Sequence, residues 1–169
     1  MGYTIAICDD DKTMADKLTA SLKNEFMKAG RNDVIIDYYD TGVQLLEALK
    51  NKMYKAVLLD INMEPMDGFA VAEAIGKSGY RTKIIFVTSH EDVVYDTFDY
   101  TPFYFIRKSR YETYVQRVVK KLIAIDGYEK TIVLDDKDGI ININSDTKKQ
   151  LTSVVQDAIK GTSDLHKFD

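Results

Sequence analysis

Runs of apolar residues alternate along this chain with segments in which apolar residues recur every three or four positions. The runs predict five strands, at Tyr3–Cys8, Val34–Tyr38, Lys55–Leu59, Lys83–Val87 and Phe103–Ile106. The periodic segments predict five helices, at residues 14–30, 41–52, 69–77, 92–99 and 111–126. Short connections between alternating strands and helices are typical of βα units. The pattern therefore predicts an α/β fold with a five-stranded, doubly wound parallel sheet.

The last part of the chain, residues 127–169, does not continue this alternation. Residues 131–144 have the pattern of a β-hairpin with Asp138-Gly139 in its turn, and residues 147–160 have that of a short amphipathic helix. We therefore predict one domain at residues 1–126, followed by a small C-terminal tail at 127–169.

Composition and charge narrow the function classes only a little. Of the 169 residues, 45% are hydrophobic and 30% are charged, with a net charge of −4 that does not favour nucleic acid as a partner. Cys8 is the single cysteine and lies in an apolar strand, which predicts a buried core residue. No apolar run approaches the roughly 18 residues of a membrane span, and the chain starts on a strand without a signal peptide. We expect a cytoplasmic protein without a membrane partner.

Candidate chemistry concentrates where the predicted strands end. The acidic triplet Asp9-Asp10-Asp11 follows the first strand, Asp60 follows the third, Thr88 follows the fourth and Lys108 follows the fifth. In open α/β sheets, ligands bind outside the carboxyl ends of the strands. The sequence therefore predicts one site of carboxylates, a hydroxyl and an amine at this edge of the sheet.

This arrangement resembles the receiver domains of bacterial two-component response regulators over about residues 3–125. The resemblance rests on the segment Asp60–Gly68, the acidic pair after the first strand, Thr88-Ser89 after the fourth and Lys108 after the fifth, all in matching order. It implies the flavodoxin-like strand order 2-1-3-4-5. It also implies a phosphorylation-dependent signalling domain that controls transcription rather than an enzyme, with only phosphoryl uptake and slow self-dephosphorylation as its chemistry.

The resemblance assigns a role to each acidic residue. Asp60 would be the phosphoacceptor, which takes a phosphoryl group from a sensor histidine kinase. Asp9, Asp10 and Asp60, with the backbone carbonyl of Asn62, would bind Mg²⁺, a hard cation that relieves the repulsion between close carboxylates. Asp11 is interpreted as an outer acidic neighbour or a helix cap.

The same resemblance assigns the phosphate-binding and switching residues. Lys108 and Thr88 would bind phosphoryl oxygens and draw the fourth and fifth strand ends, with their helices, into a second packing. Phe105 occupies the position of an aromatic residue that rotates inward on activation. Two positions depart from the family: Ser109 follows the lysine where a proline is common, and Glu64 precedes Pro65 where a methionine is common.

Two further segments, 86–92 and 102–109, resemble receivers attached to LytTR-type DNA-binding domains. The tail is too short for such a domain, so we interpret it as a remnant of an output domain, with a self-contained receiver plus accessory tail as the alternative. DNA would be a partner only if a full output domain exists elsewhere. A homodimer contact is predicted on the face of the fourth and fifth strands and helices, at Val94, Tyr95, Phe98, Tyr100, Tyr114 and Val118.

Two other function classes compete with this assignment. The segment Asp9–Thr13 also resembles the motif of haloacid-dehalogenase-like phosphatases, in which Asp9 would be the nucleophile and Asp11 the acid/base. That fold needs a further acidic pair after the lysine, and the candidate Asp135-Asp136 falls in the predicted hairpin. A pseudo-receiver acting as a binding module is the third alternative, although every reacting residue of a receiver is present.

Overall fold

The computed structural model describes residues 2–90 and 92–129. Its five strands are β1 (Tyr3–Cys8), β2 (Val34–Tyr39), β3 (Ala56–Asp60), β4 (Lys83–Thr88) and β5 (Tyr104–Arg107). Its α-helices are α1 (Lys12–Lys28), α2 (Gly42–Leu49), α3 (Gly68–Lys77) and α4 (Tyr111–Glu129). The hairpin and short helix predicted for the tail lie outside the described residues, so the boundary between domain and tail stays a prediction.

The strands form one parallel sheet in the order β2-β1-β3-β4-β5, which confirms the predicted topology. The order reverses direction at β1, because β2 lies on one side of β1 and β3 to β5 on the other. The register brings the strand ends together: Cys8 is opposite Leu59 and Asp60 is opposite Val87. This alignment places the residues that follow these strands at one edge of the sheet.

Burial explains why these segments form the centre of the sheet. Every residue of β3 is buried, as expected for a parallel strand covered on both faces. On one face a core cluster joins Ala6, Cys8 and Phe86 to apolar residues of α2 and α3. Alternation along β1 turns Ile5 and Ile7, both fully buried, to the opposite face.

Two helix predictions need correction. The segment predicted as a fourth α-helix is a 3₁₀ helix, Asp92–Tyr100, so the described residues contain four α-helices rather than five. Its β-branched and aspartate residues have low α-helix propensity, which fits the weak amphipathic pattern there. The last helix does not stop at Asp126-Gly127 but continues to Glu129. A glycine inside a helix costs only about 1 kcal/mol relative to alanine, so it does not have to end one.

The candidate site lies wholly within residues 1–120, which form one compact unit by their contacts. Among the described residues, no helix combines the length and the apolar character that crossing a membrane requires.

Candidate functional site

The segment Asp9–Asp11, which we name the acidic turn, joins β1 to α1. The Asp9 side chain is almost fully buried, at 1% exposure, and its Oδ1 accepts a hydrogen bond from the Asp11 amide at 2.9 Å. The Asp11 side chain in turn accepts from the Met14 amide at 3.1 Å and caps α1. Asp11 is therefore the helix cap, one of its two predicted roles, while Asp10 is exposed.

Asp60 is the last residue of β3 and is only 4% exposed. Oxygen atoms of Asp9, Asp10 and Asp60 all lie within 4.8 Å of one another. Three carboxylates at this separation repel strongly, and a hard divalent cation with oxygen ligands offsets that repulsion. The donor set brought together here therefore fits Mg²⁺.

The loop after Asp60 folds back onto the backbone of Asp60. Asn62 is exposed two residues past Asp60, and Asp67 caps α3 by accepting from the Ala70 amide at 2.8 Å. The Gly68 amide donates to the Ile61 carbonyl at 2.8 Å. A Cβ added at Gly68 would lie 2.2 Å from the Asp60 carbonyl oxygen, so the loop can close here only on glycine.

Substituting Gly68 should therefore destabilise the loop that follows Asp60. We expect Gly68→Ala to lower the free energy of unfolding by about 1–3 kcal/mol, because a backbone contact must open to admit the methyl group. Gly76→Ala is the matched control in the same helix, since a Cβ there meets nothing within 4 Å. We expect it to stabilise α3 by about 0.5–1 kcal/mol. Urea denaturation measures both, and equal effects of the two variants would contradict the contact.

Lys108 and Thr88 come from the two remaining strand ends. Lys108 Nζ lies 2.8 Å from Asp9 Oδ2 and 3.3 Å from Asp60 Oδ1, so one ammonium group spans both buried carboxylates. Thr88 ends β4 and is 1% exposed, and its Oγ1 accepts from the His90 amide at 3.1 Å. That bond uses an acceptor position of the hydroxyl and leaves its O–H group able to donate.

The electrostatics of the site follow from burial and from like charges. Burial, and then the charge of Asp9, raise the pKa of Asp60 to about 6. Burial also raises the pKa of Asp9, although Lys108 and the Asp11 amide oppose this. Burial alone would lower the pKa of Lys108, but the contacts with Asp9 and Asp60 raise it. The site therefore holds a charged lysine and, at Asp60, a carboxyl group whose pKa is raised to about 6.

Cys8 behaves as the predicted core residue. Its buried Sγ lies 3.7 Å from Met63 Sδ, and burial, with the nearby acidic residues, raises the pKa of the thiol to about 12. The thiolate is therefore not formed near neutral pH, and the side chain acts as a small apolar group.

The predicted switch residue Phe105 is half-buried and packs against the core cluster that contains Phe86. The rings of Phe69 and Tyr100, which pack against the same cluster, stack at 5.1 Å, and Phe86 lies 6.2 Å from Tyr100 in an edge-on contact. These aromatic contacts join α3, β4 and the 3₁₀ helix. The rotation of Phe105 stays a prediction.

The predicted dimer face is partly corrected. Val118 is fully buried, so it belongs to the core rather than to a contact surface. Tyr100 and Tyr114 are half-buried, and Tyr114 packs edge-on against Tyr104. The side chains of Val94, Tyr95 and Phe98 lie outside the description. The dimer itself therefore stays a prediction, without Val118.

The contacts of two residues of the site were not identified from the sequence. Gly68 was recognised only as part of the segment Asp60–Gly68, and Tyr38, whose hydroxyl donates to the Asp9 carbonyl at 3.0 Å, was placed only in a strand. The two consecutive tyrosines at the end of β2 indicated that one hydroxyl would lie on each face of the sheet, because side chains alternate along a strand. The hydrogen-bond partner of each hydroxyl could not be predicted, because it depends on the register between β1 and β2.

Comparison with known proteins identifies the class. A family model described as the response regulator receiver domain matches residues 5–120, and the chain belongs to this family. It is thus a receiver domain of a two-component system, which confirms the resemblance seen in the sequence and displaces the phosphatase alternative.

Individual relatives agree with that assignment. The chain is 28% identical over 90 residues to the transcriptional regulatory protein YpdB of Escherichia coli K12, a match that covers 53% of this chain and 37% of that protein. It is similar in fold to the response regulatory domain of MrkE from Klebsiella pneumoniae (TM-score 0.65, 22% identity, 75% of this chain and 98% of that one). It is also similar to the response regulator TrrA of Thermotoga maritima, solved in complex with Mg²⁺-BeF (TM-score 0.59, 28% identity, 72% and 99%). The match thus spans little more than a third of YpdB's length.

Proposed function

We propose that Asp60 accepts a phosphoryl group from a phosphohistidine of a sensor kinase. The observation that carries this proposal is the position of Lys108 Nζ, which spans the carboxylates of Asp9 and Asp60 at 2.8 and 3.3 Å. A cation in that position can follow an Asp60 oxygen when it becomes part of an acyl phosphate. The neighbouring Thr88 hydroxyl supplies a hydrogen-bond donor from the adjacent strand end.

The chemistry is a phosphoryl transfer between two nucleophiles. An Asp60 oxygen forms a bond to phosphorus while the bond from phosphorus to the histidine nitrogen breaks, and the imidazole keeps that electron pair and takes a proton. Hydrolysis of the acyl phosphate by water returns the carboxylate and releases inorganic phosphate. Because the pKa of Asp60 is raised only to about 6, the carboxylate is ionised and nucleophilic at neutral pH.

Mg²⁺ is the proposed cofactor, and its role is to neutralise charge on the transferred phosphoryl group. Asp9, Asp10 and Asp60 would hold it, since their oxygens lie within 4.8 Å of one another. The backbone carbonyl of Asn62, in the exposed loop after Asp60, is the proposed fourth protein ligand.

The proposed switch starts at Lys108. A phosphoryl group on Asp60 adds about −1.5 to −2 charges and competes with Asp9 for the ammonium group. Movement of Lys108 and Thr88 then pulls on the ends of β5 and β4, and Phe105 repacks against the core cluster. We propose that this face controls transcription, with a homodimer contact or a LytTR-type output domain as its target, and DNA as a partner only through such a domain. The proposed location is the cytoplasm.

Incubation with acetyl phosphate and Mg²⁺, followed by intact-mass measurement, tests this proposal. We expect the mass of one phosphoryl group to be added to the wild-type protein, less without Mg²⁺, and none to Asp60→Asn. Asp11→Asn is the control, because asparagine caps a helix about as well as aspartate and this residue has no part in the proposed transfer. Loss of labelling in Asp11→Asn, or its retention in Asp60→Asn, would contradict the proposal.

A further inference from the structure

Both polar groups of the Asp9 backbone form hydrogen bonds with residues at the end of β2. Its amide donates to the Tyr39 carbonyl at 3.1 Å, and its carbonyl accepts from the Tyr38 hydroxyl at 3.0 Å. We propose that Tyr38 is a positioning residue, whose hydroxyl fixes the acidic turn in the geometry that binds the divalent cation. This inference rests on the proposed function, because it concerns the same cation site.

The hydroxyl acts at the point where the regular pairing of β1 ends. Cys8 is the last β1 residue paired with both neighbouring strands, so Asp9 lies one residue past the regular ladder. Beyond that point the acidic turn carries two carboxylates within 4.8 Å of that of Asp60, and their repulsion pushes the turn away from the sheet. The bond from Tyr38 opposes that displacement at the carbonyl of Asp9.

The ring of Tyr38 is itself held in place. Lys12 Nζ lies 4.9 Å from its centroid, and the same ammonium group forms an ion pair with Asp16 one turn further along α1. The ring therefore lies between the end of β2 and the first turn of α1. Its hydroxyl is directed at the acidic turn. These contacts restrict the ring, so the hydroxyl can act as a fixed donor.

Tyr39 provides a matched comparison on the same strand. Its hydroxyl lies 2.5 Å from the Tyr54 hydroxyl, which donates to Asp37 Oδ2 at 2.5 Å, on the opposite face of β2 from Tyr38. Tyr38→Phe and Tyr39→Phe each remove one hydroxyl and keep the ring. Only the first of them removes a bond to the acidic turn.

The test is calorimetric titration of each folded protein with Mg²⁺ alone, together with amide hydrogen exchange. We expect Tyr38→Phe to weaken Mg²⁺ binding by about three- to tenfold, the equivalent of one hydrogen bond, and to speed exchange of the Asp11 amide that donates to Asp9. We expect Tyr39→Phe to lower the melting temperature but to leave the Mg²⁺ dissociation constant within about twofold of the wild type.

The outcomes separate this inference from the proposed function. If the wild-type protein does not bind Mg²⁺, the proposed function fails at its cofactor. If the wild-type binds Mg²⁺ and Tyr38→Phe binds it equally well, the positioning role is overturned while the proposed function stands. A lower melting temperature of Tyr38→Phe with unchanged Mg²⁺ affinity would likewise overturn it, because that result describes a purely structural hydroxyl.

Discussion

Asp60→Asn is expected to raise the free energy of unfolding of the Mg²⁺-free protein by about 2 kcal/mol at about pH 7. The cause is the raised pKa of Asp60, which moves from 3.8 to about 6 because of burial and the charge of Asp9. Between pH 3.8 and about 6, Asp60 is mostly protonated in the folded protein and mostly ionised in the unfolded chain. The stability contributed by the protonated group is therefore full below pH 3.8 and is lost as the pH rises through about 6. Asparagine carries no charge, so the variant does not lose this stability as the pH rises.

Urea denaturation with a chelator, at about pH 4 and about pH 7, measures this effect. The difference between wild type and Asp60→Asn should nearly vanish at the lower pH, and added Mg²⁺ should stabilise the wild type more than the variant. Asp16→Asn is the control, because this aspartate is 63% exposed and its ion pair with Lys12 lies on the surface. Its effect should stay within about 0.5 kcal/mol. A destabilised Asp60→Asn at about pH 7 would contradict the electrostatic account of the site.

Lys108→Met is expected to have the opposite effect, lowering the free energy of unfolding by about 3 kcal/mol at about pH 7. The ammonium group of Lys108 is a counter-ion of both buried carboxylates, at 2.8 Å from Asp9 and 3.3 Å from Asp60. Without it, the pKa values of both carboxyl groups rise further, so the variant loses more stability than the wild type as the pH increases. The deficit should shrink at about pH 4, because the raised pKa values favour the neutral carboxyl groups as the pH falls, and also with Mg²⁺, which supplies positive charge.

Lys77→Met is the matched control for this variant. Lys77 is 75% exposed and pairs with Glu73 on the surface of α3, so its removal should change stability by less than about 0.5 kcal/mol at either pH. A Lys108→Met variant as stable as Lys77→Met, with the same pH dependence, would show that the two carboxylates do not depend on the ammonium group.

The strand order and the position of the reacting groups could be predicted from the sequence. The first, third, fourth and fifth apolar runs were each followed by polar residues, and parallel strands bring such ends to one edge whatever the details of packing. Asp60 and Thr88 are in fact the last residues of their strands, one position beyond the predicted ends. That difference does not change which groups meet.

Features that depend on distances between elements could not be predicted. The segment after β4 carried a weak amphipathic pattern, and its 3₁₀ form reflects packing of Tyr100 on Phe69 as well as propensity. The ion pairs of Lys108 with Asp9 and Asp60 and the bond from Tyr38 join residues far apart in the chain. The close contact at Gly68 depends on how the loop folds back onto Asp60. Periodicity describes one element at a time, so it carries no information on these contacts.

Locating the phosphoryl group shows directly whether Asp60 is the phosphoacceptor. The protein is treated with acetyl phosphate and Mg²⁺, the acyl phosphate is reduced with borohydride, and the modified residue is identified by peptide mass spectrometry. We expect modification at Asp60, dependent on Mg²⁺. Modification at Asp9 or another residue, with Asp60 unmodified, would contradict it.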